Sequence, residues 1–232
     1  MKKTIILHIE TATEVCSVAL SQGDMLIALK EENRGYSHAE KLITFIQTVV
    51  QESSLTMNDL HAVCLSSGPG SYTGLRIGAS TAKGLCYTLN IPLISISTLE
   101  SIVLGIKPNW EAKNTLFCPM IDAKRMEVYT ALITQENEFL LPIQAMIIDE
   151  KSFSNYLLEH PIIFCGNGAE KCKPIFENNK HAKFDFTPLS AKNQILYALD
   201  KYKKKQFEDV AYFEPFYLKE YIPGKSTVKG LY

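Results

Sequence analysis

At 232 residues, 46% apolar and 21% charged, the chain is long enough to bury a sizeable core and too apolar to be a disordered segment. A formal net charge of −1 excludes the broad basic field of a nucleic-acid-binding domain, so contact with an acidic polymer needs a local patch or a partner. Six cysteines (Cys16, Cys64, Cys86, Cys118, Cys165, Cys172) stand singly with no C-x-x-C pair, which argues against a zinc knuckle or a dithiol redox site. No run approaches the ~20 apolar residues of a membrane span. Thr4 to Ile9 is too short for a signal peptide, contains His8 and runs into Glu10. A reduced, cytoplasmic protein with no membrane association is expected.

In chain order, TIILHIE (Thr4 to Glu10) reads as a buried strand, followed by strands over Val15 to Ser21 and Met25 to Lys30 about a Gln22-Gly23-Asp24 turn. Ser37 and Glu40 have capping-box spacing before a helix to about Ser53. His61 to Ser66 is a strand, and a glycine-rich loop then opens a helix from about Thr73 to Asn90. Pro92 to Ser97 reads as a strand and Thr98 to Ile106 as a helix. Lys107-Pro108-Asn109 is a junction that divides the chain into residues 1–108 and 109–232, because the pattern then restarts. Strands are expected over Thr115 to Asp122, Glu127 to Thr134 and Phe139 to Ile148, a helix over Ser152 to Glu159, and a strand over Ile162 to Cys165. That strand enters a second glycine loop, Gly166-Asn167-Gly168, and another helix, and Ser190 caps a last helix to about Gln206.

The halves superpose in sequence. IETATEVCSVAL begins at Ile9, and IDAKRMEVYTAL begins at Ile121, so that Glu10 and Asp122 fall at equivalent strand ends. The shared order of elements favours a duplication. Two facing βββαβα halves describe the α/β actin/Hsp70/sugar-kinase (ASKHA) architecture, in which such strand ends hold magnesium and phosphates. Glu10 and Asp122 are therefore candidate vestigial cleft acids, with plain polar strand ends as the alternative reading.

Gly68, Gly70, Ser71, Tyr72, Thr73 and Gly74 form a candidate anion or nucleotide loop. They match neither G-x-x-x-x-G-K-[ST] nor G-x-G-x-x-G, so an anion site at a helix N-terminus and a bare strand-to-helix turn both stay open. The helix that follows has only Arg76 and Lys83 as charges between Leu75 and Leu89, and its interior glycines imply a close neighbour. The preceding helix is apolar over more than one stripe. Together they offer a partner surface of Ala39, Leu42, Ile43, Ile46, Val50, Leu75, Arg76, Gly78, Ala79, Ala82, Lys83 and Leu85, with burial of both helices against the protein's own sheet and each other as the alternative reading. His38 is expected as an exposed first-turn residue, and the Lys201–Lys205 cluster as a solvated helix end. The tail from Pro223 is expected to pack back or fray.

SSGPGSYTGLRIGASTAKGL, HIETATEVCSVAL, IDAKRMEVY and EPFYLKEY resemble the corresponding segments of the TsaB (YeaZ) family over nearly the whole chain. That resemblance implies the two-lobed ASKHA fold and a non-catalytic part in making N6-threonylcarbamoyladenosine at position 37 of tRNAs that read codons beginning with A. It implies pairing with TsaD, the larger metal-bearing paralogue that transfers the threonylcarbamoyl group, and docking of the ATPase TsaE. It also implies only indirect contact with tRNA, and a homodimer when TsaD is absent. No cofactor is required, with ATP or ADP a candidate at the subunit interface. TsaD-type sequences carry H-x-x-x-H at the place where Thr98 and Ile102 stand here, so no metal site is expected. Two rival classes remain: a small ATP-binding kinase or hydrolase of the same fold, and the M22 peptidase suggested by the superfamily's older label, which lacks its metal ligands.

Overall fold

The computed structural model describes residues 4–33, 38–112 and 114–219. Ser37 and the tail from Pro223 lie outside them. The first half contains β1 (Ile5–Glu10), β2 (Cys16–Gln22), β3 (Met25–Glu32), α1 (His38–Glu52), β4 (Ala62–Ser66), α2 (Tyr72–Leu89), β5 (Leu93–Ile96) and α3 (Thr98–Ile106). The second repeats the order with β6 (Leu116–Asp122), β7 (Glu127–Ile133), β8 (Phe139–Ile147), α4 (Ser154–Glu159), β9 (Ile162–Cys165), α5 (Ala169–Phe176), β10 (Ala182–Asp185) and α6 (Ile195–Lys203). The sheets run β3-β2-β1-β4-β5 and β10-β9-β6-β7-β8, which is the same order read from opposite edges. The duplicated α/β fold inferred from the sequence is present, and each half is one strand and one helix longer than βββαβα.

In each sheet the first strand is central, antiparallel to the second and parallel to the fourth. All six residues of β1 are buried. A strand covered on both faces reads as a continuous apolar run rather than an alternating one, which is why TIILHIE was legible. Within it, Ile5, Leu7 and Ile9 face Leu42, Ile46 and Val49 of α1 and Ala79 and Ala82 of α2. Ile6 faces the other way, with Cys64 and Ile94, onto Ala198 of α6. In the second sheet, Leu116, Cys118 and Met120 pack on Leu157 of α4 and Cys172 and Phe176 of α5. Phe117, Ile121 and Ile163 pack on Leu99, Ile102 and Ile106 of α3. The last helix of each half therefore covers the sheet of the other.

Two local readings are corrected. AKFD (β10) gives too short a run to register as a strand, yet it pairs in parallel with β9 and completes the second sheet. The helix capped by Ser190 begins as a 3-10 turn over Ala191–Gln194 before α6 proper. Beyond α6 the chain returns across the first half. Glu208 bridges to Leu93, Phe213 is buried, and the Phe216 amide donates to the Ser67 carbonyl at 2.7 Å. All six cysteines are buried and unpaired.

Candidate functional site

The first hairpin of each half points into a cleft of about 430 Å³ between the halves. Thr13 and Glu14 enter it from the β1–β2 turn, Gly70 to Tyr72 from the glycine loop, and Asp122 and Lys124 from the β6–β7 turn. Asn167 enters from the second glycine loop, and Tyr217 and Lys219 from the returning segment.

The glycine loop is closed by its own chain. The Ser71 amide donates to the Ala12 carbonyl at 2.7 Å, while the Ser71 hydroxyl caps α2 by accepting from the Gly74 amide at 3.3 Å. The Gly68 amide donates to Thr98 Oγ1 at 3.1 Å. A Cβ on Gly70 or Gly74 would collide with the carbonyls of Ala12 and Thr11, so these glycines let the loop lie against the β1–β2 turn. Gly70, Ser71 and Tyr72 line the cleft, Thr73 is exposed, and Gly68 and Gly74 are buried beneath it. Tyr72 packs against Tyr217 with ring centroids 4.9 Å apart, and the Arg76 guanidinium lies 5.4 Å from the Tyr72 ring centre.

The two candidate acids have opposite surroundings. Glu10 is fully buried and does not line the cleft, which corrects its reading as a cleft acid. Its Oε1 accepts from the Ala12 amide at 2.8 Å, and its Oε2 accepts from the Ser66 hydroxyl. Gln194, from the second half, donates through Nε2 to Ser66 Oγ at 3.0 Å and to the Ile9 carbonyl at 3.2 Å. Burial raises the Glu10 carboxyl to about 7, against the lowering effect of these bonds. Asp122 does line the cleft and is ion-paired with Lys171. Burial would raise its carboxyl, but Lys171 and the Lys124 amide outweigh this and hold it below the ordinary value. One acid is sealed away, and the other stands at the cleft edge paired with Lys171. Among the described residues no three of His, Cys, Asp and Glu gather as a metal site. Thr98 and Ile102 are both buried, Thr98 holding the glycine loop and Ile102 packing under the second sheet.

Bonds across the cleft join its walls. Asn167 Nδ2 donates to Glu14 Oε2 at 2.6 Å, and Lys219 Nζ reaches both Glu127 carboxylate oxygens at 2.6 Å. Sequence reasoning missed Gln194, Lys171 and Tyr217 as parts of this constellation, because nothing local marks residues whose role depends on a segment far along the chain.

The expected partner surface divides in two. Leu42, Ile46, Val50, Leu75, Gly78, Ala79 and Ala82 are buried in the chain's own core and are corrected from surface to interior. Gly78 marks the close approach of α2 to the β1–β2 turn, since a Cβ there would strike Thr11 Oγ1. Ala39, Ile43 and Arg76 are exposed and Leu85 is half-buried. Lys83 is occupied, donating to the carbonyls of Ala211 and Phe213 at 3.1 and 3.0 Å. What faces outward is a groove of about 440 Å³ along α1 and α2, with Ile43, Met57, Ser80, Gly84, Leu85 and Thr88 on its walls. Ile43 is 51% exposed, and a Cβ on Gly84 would meet open space. His38 is corrected as well: it is buried, and its Nε2 donates to the Thr13 carbonyl at 2.8 Å.

Two identically ordered sheets that exchange their last helices around a shared cleft define an ASKHA-type α/β protein. A solved Pseudomonas aeruginosa structure, described as an uncharacterized protein with similarity to peptidase YEAZ, matches the fold. Its TM-score is 0.80 at 22% identity, over 93% of this chain and 100% of that one. The family model "TsaD: tRNA N6-adenosine threonylcarbamoyltransferase" matches residues 32–221. The "tRNA threonylcarbamoyladenosine biosynthesis protein TsaB" of Bacillus subtilis is 28% identical over 176 residues, 75% of each chain. The protein of the same description from Escherichia coli is 36% identical over 127 residues, 54% of this chain and 53% of that one. This chain belongs to the TsaD family, on its TsaB (YeaZ) branch. The match spans three quarters of the Bacillus relative and about half of the Escherichia one.

Proposed function

We infer that this chain is a non-catalytic subunit in the biosynthesis of N6-threonylcarbamoyladenosine in tRNA, acting as the scaffold for a TsaD-type transferase. The observation that carries the reading is the outward groove of α1 and α2. Its Ile43 and Gly84 take no part in closing the first sheet's core, Leu85 is only half-buried against that core, and small residues at Ser80 and Gly84 admit a second helix pair at close range. The occupied acids support the absence of phosphoryl chemistry in this chain's own cleft. In this reading the groove takes TsaD or, without it, a second copy of the chain through an isologous contact. TsaE docks on the paired assembly, tRNA is held by the complex at position 37 of ANN-reading tRNAs, and all of this is cytoplasmic. The chain itself needs no cofactor, and ATP or ADP bound by the assembly lies between subunits.

Reconstitution tests the proposal. TsaC, TsaD, TsaE and tRNA should yield modified nucleoside with this chain present and only background without it. Equal yield in its absence sinks the reading. Steady ATP turnover by the isolated chain, abolished by Asp122→Asn, would replace it with the kinase or hydrolase reading.

A further inference from the structure

The segment that follows α6 is bolted to the first half as far as Phe216. The Glu208 amide donates to the Leu93 carbonyl at 2.9 Å, and its carboxylate accepts from the Ser95 hydroxyl. Lys83 of α2 holds the carbonyls of Ala211 and Phe213, and the Phe213 ring is buried in the first core. The Phe216 amide is bonded to the Ser67 carbonyl, and the Phe216 carbonyl passes so close to Gly68 that a Cβ there would lie 2.5 Å from it.

The next three residues are held in another way. Tyr217, Leu218 and Lys219 make no backbone hydrogen bond to another described residue, and two side chains fix them. Tyr217 lies against the ring of Tyr72, the first residue of α2, while Lys219 Nζ crosses to both carboxylate oxygens of Glu127 on β7 of the second half. All three line the cleft. We propose that residues 217–219 are a releasable lid on the cleft, rooted at Phe216 and closed by the Tyr72–Tyr217 contact and the Lys219–Glu127 ion pair.

The root and the tip of this segment differ in what it takes to lift them. Raising residues 208–216 breaks backbone hydrogen bonds and draws Phe213 out of the core. Raising residues 217–219 breaks one ring contact and one ion pair whose side chains are 48% and 24% exposed, and water replaces much of what such a pair loses. The segment therefore opens from its tip, with the break after Phe216.

Opening bares the Tyr72 ring and the Glu127 carboxylate without parting the halves. The Asn167–Glu14 bond and the exchanged helices still join them. Among the described residues no cation besides Lys219 pairs with the Glu127 carboxylate, since Lys171 bonds Asp122 and the Glu127 carbonyl instead. Lys219 is thus the one charge that draws the lid onto the second half.

NMR relaxation on the full chain tests the lid. Backbone order parameters at Tyr217 to Lys219 should be near the rigid value of about 0.85 in wild type and in Lys219→Arg. In Lys219→Glu, which sets like charges against each other at Glu127, they should fall below about 0.6 while Phe213 and Phe216 stay rigid. Mobility at 217–219 already present in wild type, rigidity that survives Lys219→Glu, loss of rigidity that spreads through 208–216, or an open lid in Lys219→Arg overturns the proposal. Should Lys219→Glu fail to fold, Glu127→Gln decides by the same measure: mobility confined to 217–219 upholds the lid, and unchanged order overturns it.

Discussion

Glu10 and Asp122 occupy the same position in two copies of one fold, at the end of each central strand, and they meet opposite fates. The first copy buries its acid under a turn from the second. The second copy leaves its acid at the cleft edge and supplies Lys171. The flanking helices diverge in the same way. α1 and α2 have 15 and 18 residues and keep an outward apolar groove, whereas α4 and α5 have 6 and 8 and are spent on their own sheet. Duplication preserved the strand order, and specialisation moved into what covers the strand ends and how far the helices extend.

The harshest way to break this comparison is Gly78→Leu. It drives a side chain into Thr11 and should cost about 3 kcal/mol of stability, read by urea denaturation. Gly84→Leu, six residues along the same helix and facing open space, should stay within about 0.5 kcal/mol of wild type.

Next comes the pH profile of stability. Burial raises Glu10 in the folded chain, so the native state binds a proton that the unfolded state has released. Stability should therefore fall by up to about 3 kcal/mol as pH rises from about 4.5 to 7, and Glu10→Gln should flatten that slope in denaturant melts.

Ile43→Asp sharpens the contrast between helix pairs. It should leave the melting temperature unchanged and weaken association with a TsaD-type partner by at least tenfold, measured by calorimetry. An equivalent charge on the exposed Leu158 of α4 should leave association unaffected.

A small, pH-dependent effect is expected from Asp122→Asn. Its carboxyl is held low in the folded chain, so its contribution exists above the unfolded value and disappears as pH falls through the folded one. For a partly exposed pair this is under about 1 kcal/mol, and the loss should shrink as melts are run at pH values falling below the ordinary carboxylate range.

Local pattern carried much of the fold. Thr98–Ile106 and Ile162–Cys165 stand where the periodicity puts them, because an apolar run bounded by a cap or a glycine is decided by its own residues. AKFD escaped because four residues with two charges earn strand status only beside β9. The candidate site was less legible for the same reason. Seven of the proposed contact residues on α1 and α2 are buried in the chain's own core, because a sheet below a helix and a protein above it select the same small and apolar side chains. His38 read as exposed from its place in the first turn, yet the β1–β2 turn folds over it. Glu10 read as a cleft acid because the Gln194 that covers it lies 184 residues downstream.

The exchange of final helices bears on how the polypeptide is born. While a ribosome is still making residues 110 to 190, Ile6, Cys64 and Ile94 have no Ala198 to lie under, and the nascent N-terminal sheet shows a greasy back to water or to a chaperone. Stalled or truncated products should be insoluble out of proportion to the length they lack.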